Sequence, residues 1–145
     1  MATDNDTETD PDARERLPAR TRARKAAIQY LYAIDTRGER DLDPDMYFED
    51  QQLSIENQTF GKKLARDVLD HRDEIDERIK EYAENWDLDR MSVVDRNLIR
   101  LGMAEICYND DSPRTVVINE CVELARRLGS SDSNKFVNAI LDRVN

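Results

Sequence analysis

The apolar residues of this chain recur at helical spacing, and this feature constrains its fold most. Across the middle of the sequence they fall three, four or seven positions apart, as on one face of a helix. No convincing alternating strand pattern accompanies them. With only four glycines and four prolines, the chain also has few of the turn residues that many short strands require. The central positions are Phe60, Leu64, Val68, Ile75, Ile79, Tyr82 and Trp86.

Signals at helix ends divide this pattern into segments. Pro18 suits the first turn of a helix, and Gly38 is expected to end that helix. Wide apolar stripes need partners on several sides, so we expect an all-α, compact bundle of about seven helices. The pattern that starts at Ser54 predicts one long helix or two consecutive helices with a break at 71–73. The other signals are a turn at Asp43 and Pro44, a cap at Ser92, a break at 109–113, a stop at Gly129, and a cap at Ser131 or Asp132.

Charge is unevenly distributed along the chain. The net charge is −10, yet residues 1–12 contain five acids and no base, whereas residues 13–25 contain six bases and one acid. A polar, acidic segment without apolar periodicity cannot offset the entropy cost of ordering. We therefore expect residues 1–17 to be a disordered acidic tail and residues 18–145 to form one helical domain.

The basic segment predicts an RNA contact. Arginine grips phosphate through two N–H bonds and stacks on bases, and arginine-rich segments order on RNA. At the start of the last helix, a lysine, an asparagine and an aromatic ring offer similar chemistry. The alternatives are a helix end whose charges only aid solubility and, for Phe136, an ordinary core position. The residues concerned are Arg20, Arg22, Arg24, Lys25, Lys135, Phe136 and Asn138.

No arrangement of residues predicts catalysis. His71, the single histidine, lies in a charged stretch and is expected to be solvated at the surface. Cys107 and Cys121 match no zinc spacing and are expected to be buried thiols. We expect no enzymatic activity, no cofactor and no metal. Without a signal peptide or a long apolar span, the chain is expected to be soluble and cytoplasmic.

Four segments, taken in order, resemble the NusB family of transcription antitermination factors. Each segment alone is weak, but their order and spacing are those of the family, and together they cover about residues 19–145. The segments are the basic start that runs into residues 26–32, residues 86–105 with the sequence WDLDRMSVVDRNLIRLGMAE, residues 117–129 with VINECVELARRLG, and residues 133–142 with SNKFVNAILD.

This resemblance implies a seven-helix fold and binding to the boxA element of ribosomal RNA transcripts. It also implies a complex with the ribosomal protein NusE, which joins RNA polymerase and the other Nus factors in antitermination. The matching positions place RNA contacts at the start of the first and last helices, with Arg96 and Arg100 as further contacts. The side that faces NusE maps to Tyr32 and Asp95.

Two other functions are compatible with the same residues. An acidic protein-interaction module could bind a basic partner without contacting RNA itself. A NusB-like domain also precedes the catalytic domain of some ribosomal RNA methyltransferases, and this chain could be a fragment of such a protein. The sequence leaves open whether the protein is a monomer or a homodimer.

Overall fold

The computed structural model describes residues 17–38, 42–84 and 87–144. Within these ranges the chain forms seven α-helices, one 3-10 turn and no strand. The predicted disordered tail lies outside the described residues except for Leu17, and so does Trp86. The helices are α1 (Ala19–Arg37), α2 (Pro44–Glu49), α3 (Ile55–Asp70), α4 (Arg72–Tyr82), α5 (Val93–Tyr108), α6 (Arg114–Leu128) and α7 (Ser133–Leu141), with the 3-10 turn at Leu88–Arg90.

Local capping signals set most helix boundaries, as the sequence predicts. The Ser54 and Ser92 side chains accept hydrogen bonds from the backbone N–H groups of Asn57 and Asp95, which satisfies donors that the first helical turn leaves open. Gly38 ends α1 in the left-handed conformation, with φ of 68°. Glycine adopts this conformation without the steric cost of a Cβ atom.

The start of α7 differs from the expected cap. Asp132 occupies the cap position, but its side chain makes no capping hydrogen bond. Instead, the buried Ser133 hydroxyl accepts a hydrogen bond of 2.9 Å from the Ser130 backbone N–H. The serine that closes this turn is therefore the first residue of the helix and not a residue before it.

Helix α5 is the central element of the bundle. It packs against α1, α3, α4, α6 and α7. Leu98, Leu101 and Met103 are fully buried, so the middle of α5 lies beneath other helices. The predicted apolar stripes of α6 and α7 are also buried, at Val117, Cys121, Leu124, Val137, Ile140 and Leu141.

Two predicted environments need correction. His71 is half-buried, and its ring stacks on that of Tyr108 with 3.9 Å between the centroids. Cys121 is buried as expected, but Cys107 is only half-buried, and its Sγ lies 3.1 Å from Arg78 Nη1. Both differences arise from contacts between α5 and the α3–α4 region, which lie far apart in sequence.

Candidate nucleic-acid interface

The start of α1 presents three partly exposed cations. Arg20, Arg22 and Lys25 each keep part of the side chain accessible to solvent. Arg22 Nη1 donates to the Gln52 carbonyl oxygen at 3.0 Å. The guanidinium of Arg20 lies over the Phe60 ring, 4.0 Å from its centroid. These residues form a basic surface along the first two turns of α1.

Arg24, from the same basic segment, points into the protein. Its side chain is 3% exposed. Nε and Nη2 donate to the two carboxylate oxygens of Glu105 at 2.9 and 2.6 Å, and Nη1 donates to Glu120 at 3.1 Å. The predicted direct RNA contact by Arg24 disagrees with this burial, because a guanidinium that is enclosed by carboxylates has no accessible face for phosphate.

Burial alone lowers the pKa of Arg24, but its hydrogen bond and charge interaction with Glu105 raise that pKa above its ordinary value. Arg24 is therefore held as a cation in the interior. Its role here is to join the start of α1 to α5 and α6.

The two arginines of α5 also make internal ion pairs. Arg96 forms a two-point contact with Asp35 at 2.7 and 3.0 Å. Arg100 is 4% exposed on its side chain, pairs with Asp76 at 2.8 Å and reaches Asp35 at 3.2 Å. The burial of Arg100 disagrees with the predicted RNA contact. Arg96 uses two of its nitrogen atoms in the contact with Asp35. Both residues join α5 to the end of α1, and Arg100 also joins it to α4.

Asp35 is the shared acceptor of this cluster. Burial raises its pKa, but hydrogen bonds from Arg96 and Asn97 and the nearby positive charges lower it more, so the pKa of Asp35 lies below its ordinary value. The carboxylate therefore stays ionised between the two arginines.

The start of α7 places Lys135 and Asn138 at the surface, whereas Phe136 is half-buried. The ring of Phe136 packs against the core and also borders a cleft of about 270 Å³ between the starts of α5 and α7. The ring is therefore a core contact that stays partly exposed, and its stacking on an RNA base stays a prediction. Ser92 and Asp95 line the same cleft.

The predicted partner residues lie at this same end of the bundle. Tyr32 is 43% exposed, on a helix whose other face is buried. Asp95 is 9% exposed, and its Oδ1 atom accepts no hydrogen bond from the residues that the structure describes.

The two predicted RNA regions do not form one cluster. The start of α1 is bound to Glu105, near the end of α5, whereas the start of α7 borders Asp95, near the beginning of α5. At 1.5 Å per residue, these two points on α5 are about 15 Å apart. A ligand that contacts both regions must therefore extend along the bundle.

Two residues of this region, Phe60 and Glu105, are not among the predicted site residues. The sequence pattern predicts only a core position for Phe60 and no role for Glu105. Glu105 did carry a signal, because a carboxylate between apolar neighbours on a buried helix face needs a buried cation.

Two other kinds of feature are absent from the described ranges. No group of histidine, cysteine, aspartate or glutamate residues in these ranges is arranged to hold a metal ion. No helix in these ranges is long and apolar enough to cross a membrane.

Comparison with known proteins identifies similar chains. The model of the NusB family matches residues 21–145. The transcription antitermination protein NusB of Clavibacter sepedonicus is 40% identical over 133 residues, covering 88% of this chain and 96% of its own.

Two solved structures of NusB proteins are similar to this chain in fold and in sequence. NusB of T. maritima has a TM-score of 0.80 and 36% identity, covering 88% of this chain and 90% of its own. The structure of antitermination factors NusB and NusE in complex with dsRNA matches with a TM-score of 0.76 and 29% identity, covering 87% of this chain and 95% of the matched one.

Proposed function

Because the chain belongs to the NusB family, we propose that it acts in transcription antitermination as an RNA-binding factor. Its RNA target is the boxA element of ribosomal RNA transcripts, and it binds this element together with the ribosomal protein NusE. The complex then joins RNA polymerase and the other Nus factors. The proposed role is that of a cytoplasmic binding protein and not of an enzyme.

One observation carries the RNA assignment: the first two turns of α1 hold Arg20, Arg22 and Lys25 at the surface of a chain whose net charge is −10. A local cluster of cations on an acidic body directs a polyanion to one place. Lys135, Phe136 and Asn138 provide the second contact, and the RNA extends along α5 between them. In this proposal Arg24 supports the start of α1 from within, Arg96 and Arg100 join α5 to the end of α1, and none of the three touches the RNA.

The NusE-binding side includes Tyr32 and Asp95. Tyr32 is an exposed aromatic residue, a type that is enriched at protein interfaces. The Oδ1 atom of Asp95 accepts no hydrogen bond from the described residues. Because the cleft at Asp95 also borders Phe136, the partner and the RNA meet at this end of the bundle. From this adjacency we expect the partner to increase the affinity for RNA.

A binding titration tests this function. A single-stranded boxA RNA is titrated with the chain alone and with an equimolar mixture of the chain and NusE. We expect weak binding by the chain alone and tighter binding by the mixture. A chain that binds NusE normally while neither the chain nor the mixture binds RNA would instead support the protein-interaction module.

Matched variants locate the surface. Arg22→Ala combined with Lys25→Ala removes two cations from the start of α1 and is expected to weaken binding strongly. Lys62→Ala combined with Arg66→Ala removes two cations from α3, where both side chains pair with Asp45, and is expected to weaken binding much less. Equal losses from the two pairs would contradict the assignment of the surface.

A further inference from the structure

The ring of Phe60 lies beneath two guanidinium groups from the start of α1. The Cζ atom of Arg20 is 4.0 Å from the ring centroid, and that of Arg24 is 5.1 Å away. Residues four apart on a helix lie on the same face, so both arginines approach α3 from one side. Phe60 itself is 5% exposed. A buried ring is thus the shared support of two cations.

Arg24 is the fixed member of this arrangement. Its hydrogen bonds to Glu105 on α5 and Glu120 on α6 hold the second turn of α1 in place. The Thr21 hydroxyl also donates to Glu120 at 2.6 Å. The backbone that carries Arg20 is therefore held firmly on the bundle, and the position of α1 relative to the Phe60 ring is set from within.

Arg20 is the exposed member. Its side chain is 42% exposed, and its Nη2 atom lies 3.7 Å from a carboxylate oxygen of Glu56, whose side chain is 79% exposed. An ion pair in such an exposed setting contributes little. The contact with the ring, at 4.0 Å from its centroid, involves a buried partner that cannot move away and has a defined geometry. The Phe60 ring is therefore the main constraint on the Arg20 guanidinium.

We propose that Phe60 is a positioning residue for RNA: it orders the Arg20 guanidinium at the surface so that the exposed part of this group stacks on an unpaired base of single-stranded RNA. This inference rests on the proposed RNA-binding function. Arginine planes stack on splayed bases in single-stranded RNA. An ordered guanidinium loses less entropy on binding than a mobile one, so a ring beneath Arg20 increases affinity without touching the RNA.

The test compares substitutions at both members of the contact. Affinity is measured for single-stranded boxA RNA with NusE present, at a temperature at which circular dichroism shows every variant to be folded. Phe60→Leu keeps an apolar core residue but removes the ring, and it should weaken binding about five-fold. Arg20→Lys keeps the charge but not the planar group, and it should produce a similar loss. In the Arg20→Lys background, Phe60→Leu should cause little additional loss.

Phe48→Leu is the matched control. Phe48 is a fully buried phenylalanine whose ring neighbours are Tyr30 and Tyr47, so its loss perturbs the core without changing an arginine contact. It should leave RNA affinity close to that of the parent chain. If Phe60→Leu and Phe48→Leu weaken binding equally, or if Arg20→Lys binds as well as the parent, the positioning role is wrong while RNA binding itself stands. If the parent chain with NusE binds no RNA, the proposed function fails and this inference fails with it.

Discussion

Replacing Arg24 with methionine should destabilise the protein more than any other single change in the basic segment. Glu105 is 0% exposed, and Arg24 donates to both of its carboxylate oxygens. Removing one partner of a buried ion pair leaves the other charge without compensation, at a cost of about 3–5 kcal/mol. Glu120 retains 25% exposure of its side chain, so water can compensate it, and Glu105 should account for most of the loss.

Urea denaturation followed by circular dichroism measures this effect. The urea concentration at the midpoint should fall. The slope of the unfolding free energy against urea concentration should stay the same, because the surface exposed on unfolding changes little. For a chain of this length, the expected loss corresponds to a decrease of about 10 °C in the melting temperature.

Two variants control for the loss of side-chain volume and surface charge. Arg20→Met removes an exposed arginine one turn earlier and should cost about 1 kcal/mol or less. Arg24→Met combined with Glu105→Met replaces the whole pair with apolar groups and should recover much of the lost stability. If Arg24→Met costs no more than Arg20→Met, the buried ion pair does not have the role that we assign to it.

Three further predictions concern other parts of the bundle. Asp35→Asn should lower the free energy of unfolding at neutral pH. The pKa of Asp35 is lowered in the folded state, so the ionised carboxylate stabilises the fold above its ordinary pKa of about 3.9. This stabilisation is lost as the pH falls through the folded pKa. The free energies of unfolding of the parent chain and of the Asp35→Asn variant should therefore converge at low pH. Gly102→Ala should cost about 1–3 kcal/mol in thermal or urea unfolding, since a Cβ atom there would lie 2.7 Å from Leu141 Cδ1; an unchanged stability would show that α7 moves aside freely. Burial raises the pKa of the Cys121 thiol to about 12, so at pH 8 Cys121 should react with a thiol reagent only after unfolding, and rapid modification of the native chain would contradict its burial.

Helix boundaries could be predicted because their causes are local. Ser54, Ser92 and Gly38 each act on backbone groups within a few residues, so the sequence around them contains the needed information. The start of α7 was harder to predict, because three consecutive residues can accept a capping hydrogen bond. In the structure Asp132 makes no capping hydrogen bond, and the Ser133 hydroxyl accepts from the Ser130 N–H, a contact that depends on the path of the preceding loop.

The directions of the arginine side chains could not be predicted in the same way. Arg20 and Arg24 lie on one helix face, yet one reaches the surface and the other is buried. The difference comes from Glu105, which lies 81 positions further along the chain. Likewise, Arg100 is buried because Asp35, 65 positions earlier, lies beside it. Periodicity describes one helix at a time and cannot identify partners on another helix.

The predicted site therefore changed in composition more than in location. The basic start of α1 remains the proposed RNA contact, with Arg20, Arg22 and Lys25 at its surface. Arg24 and Arg100 are buried in ion pairs and do not lie at the surface. Phe60, which the sequence pattern places in the core, lies beneath Arg20 at this surface.

The salt dependence of RNA binding tests the central claim most directly. We compare the parent chain with an Arg22→Ala, Lys25→Ala, Lys135→Ala variant and with a control that lacks Lys62, Arg66 and Lys80 instead, in each case with NusE and single-stranded boxA RNA. Each lost phosphate contact should reduce the slope of log affinity against log salt by about 0.7. We predict a slope reduced by about 2 in the first variant and nearly unchanged in the control. Equal slopes in the parent and in the first variant would contradict RNA binding through the starts of α1 and α7.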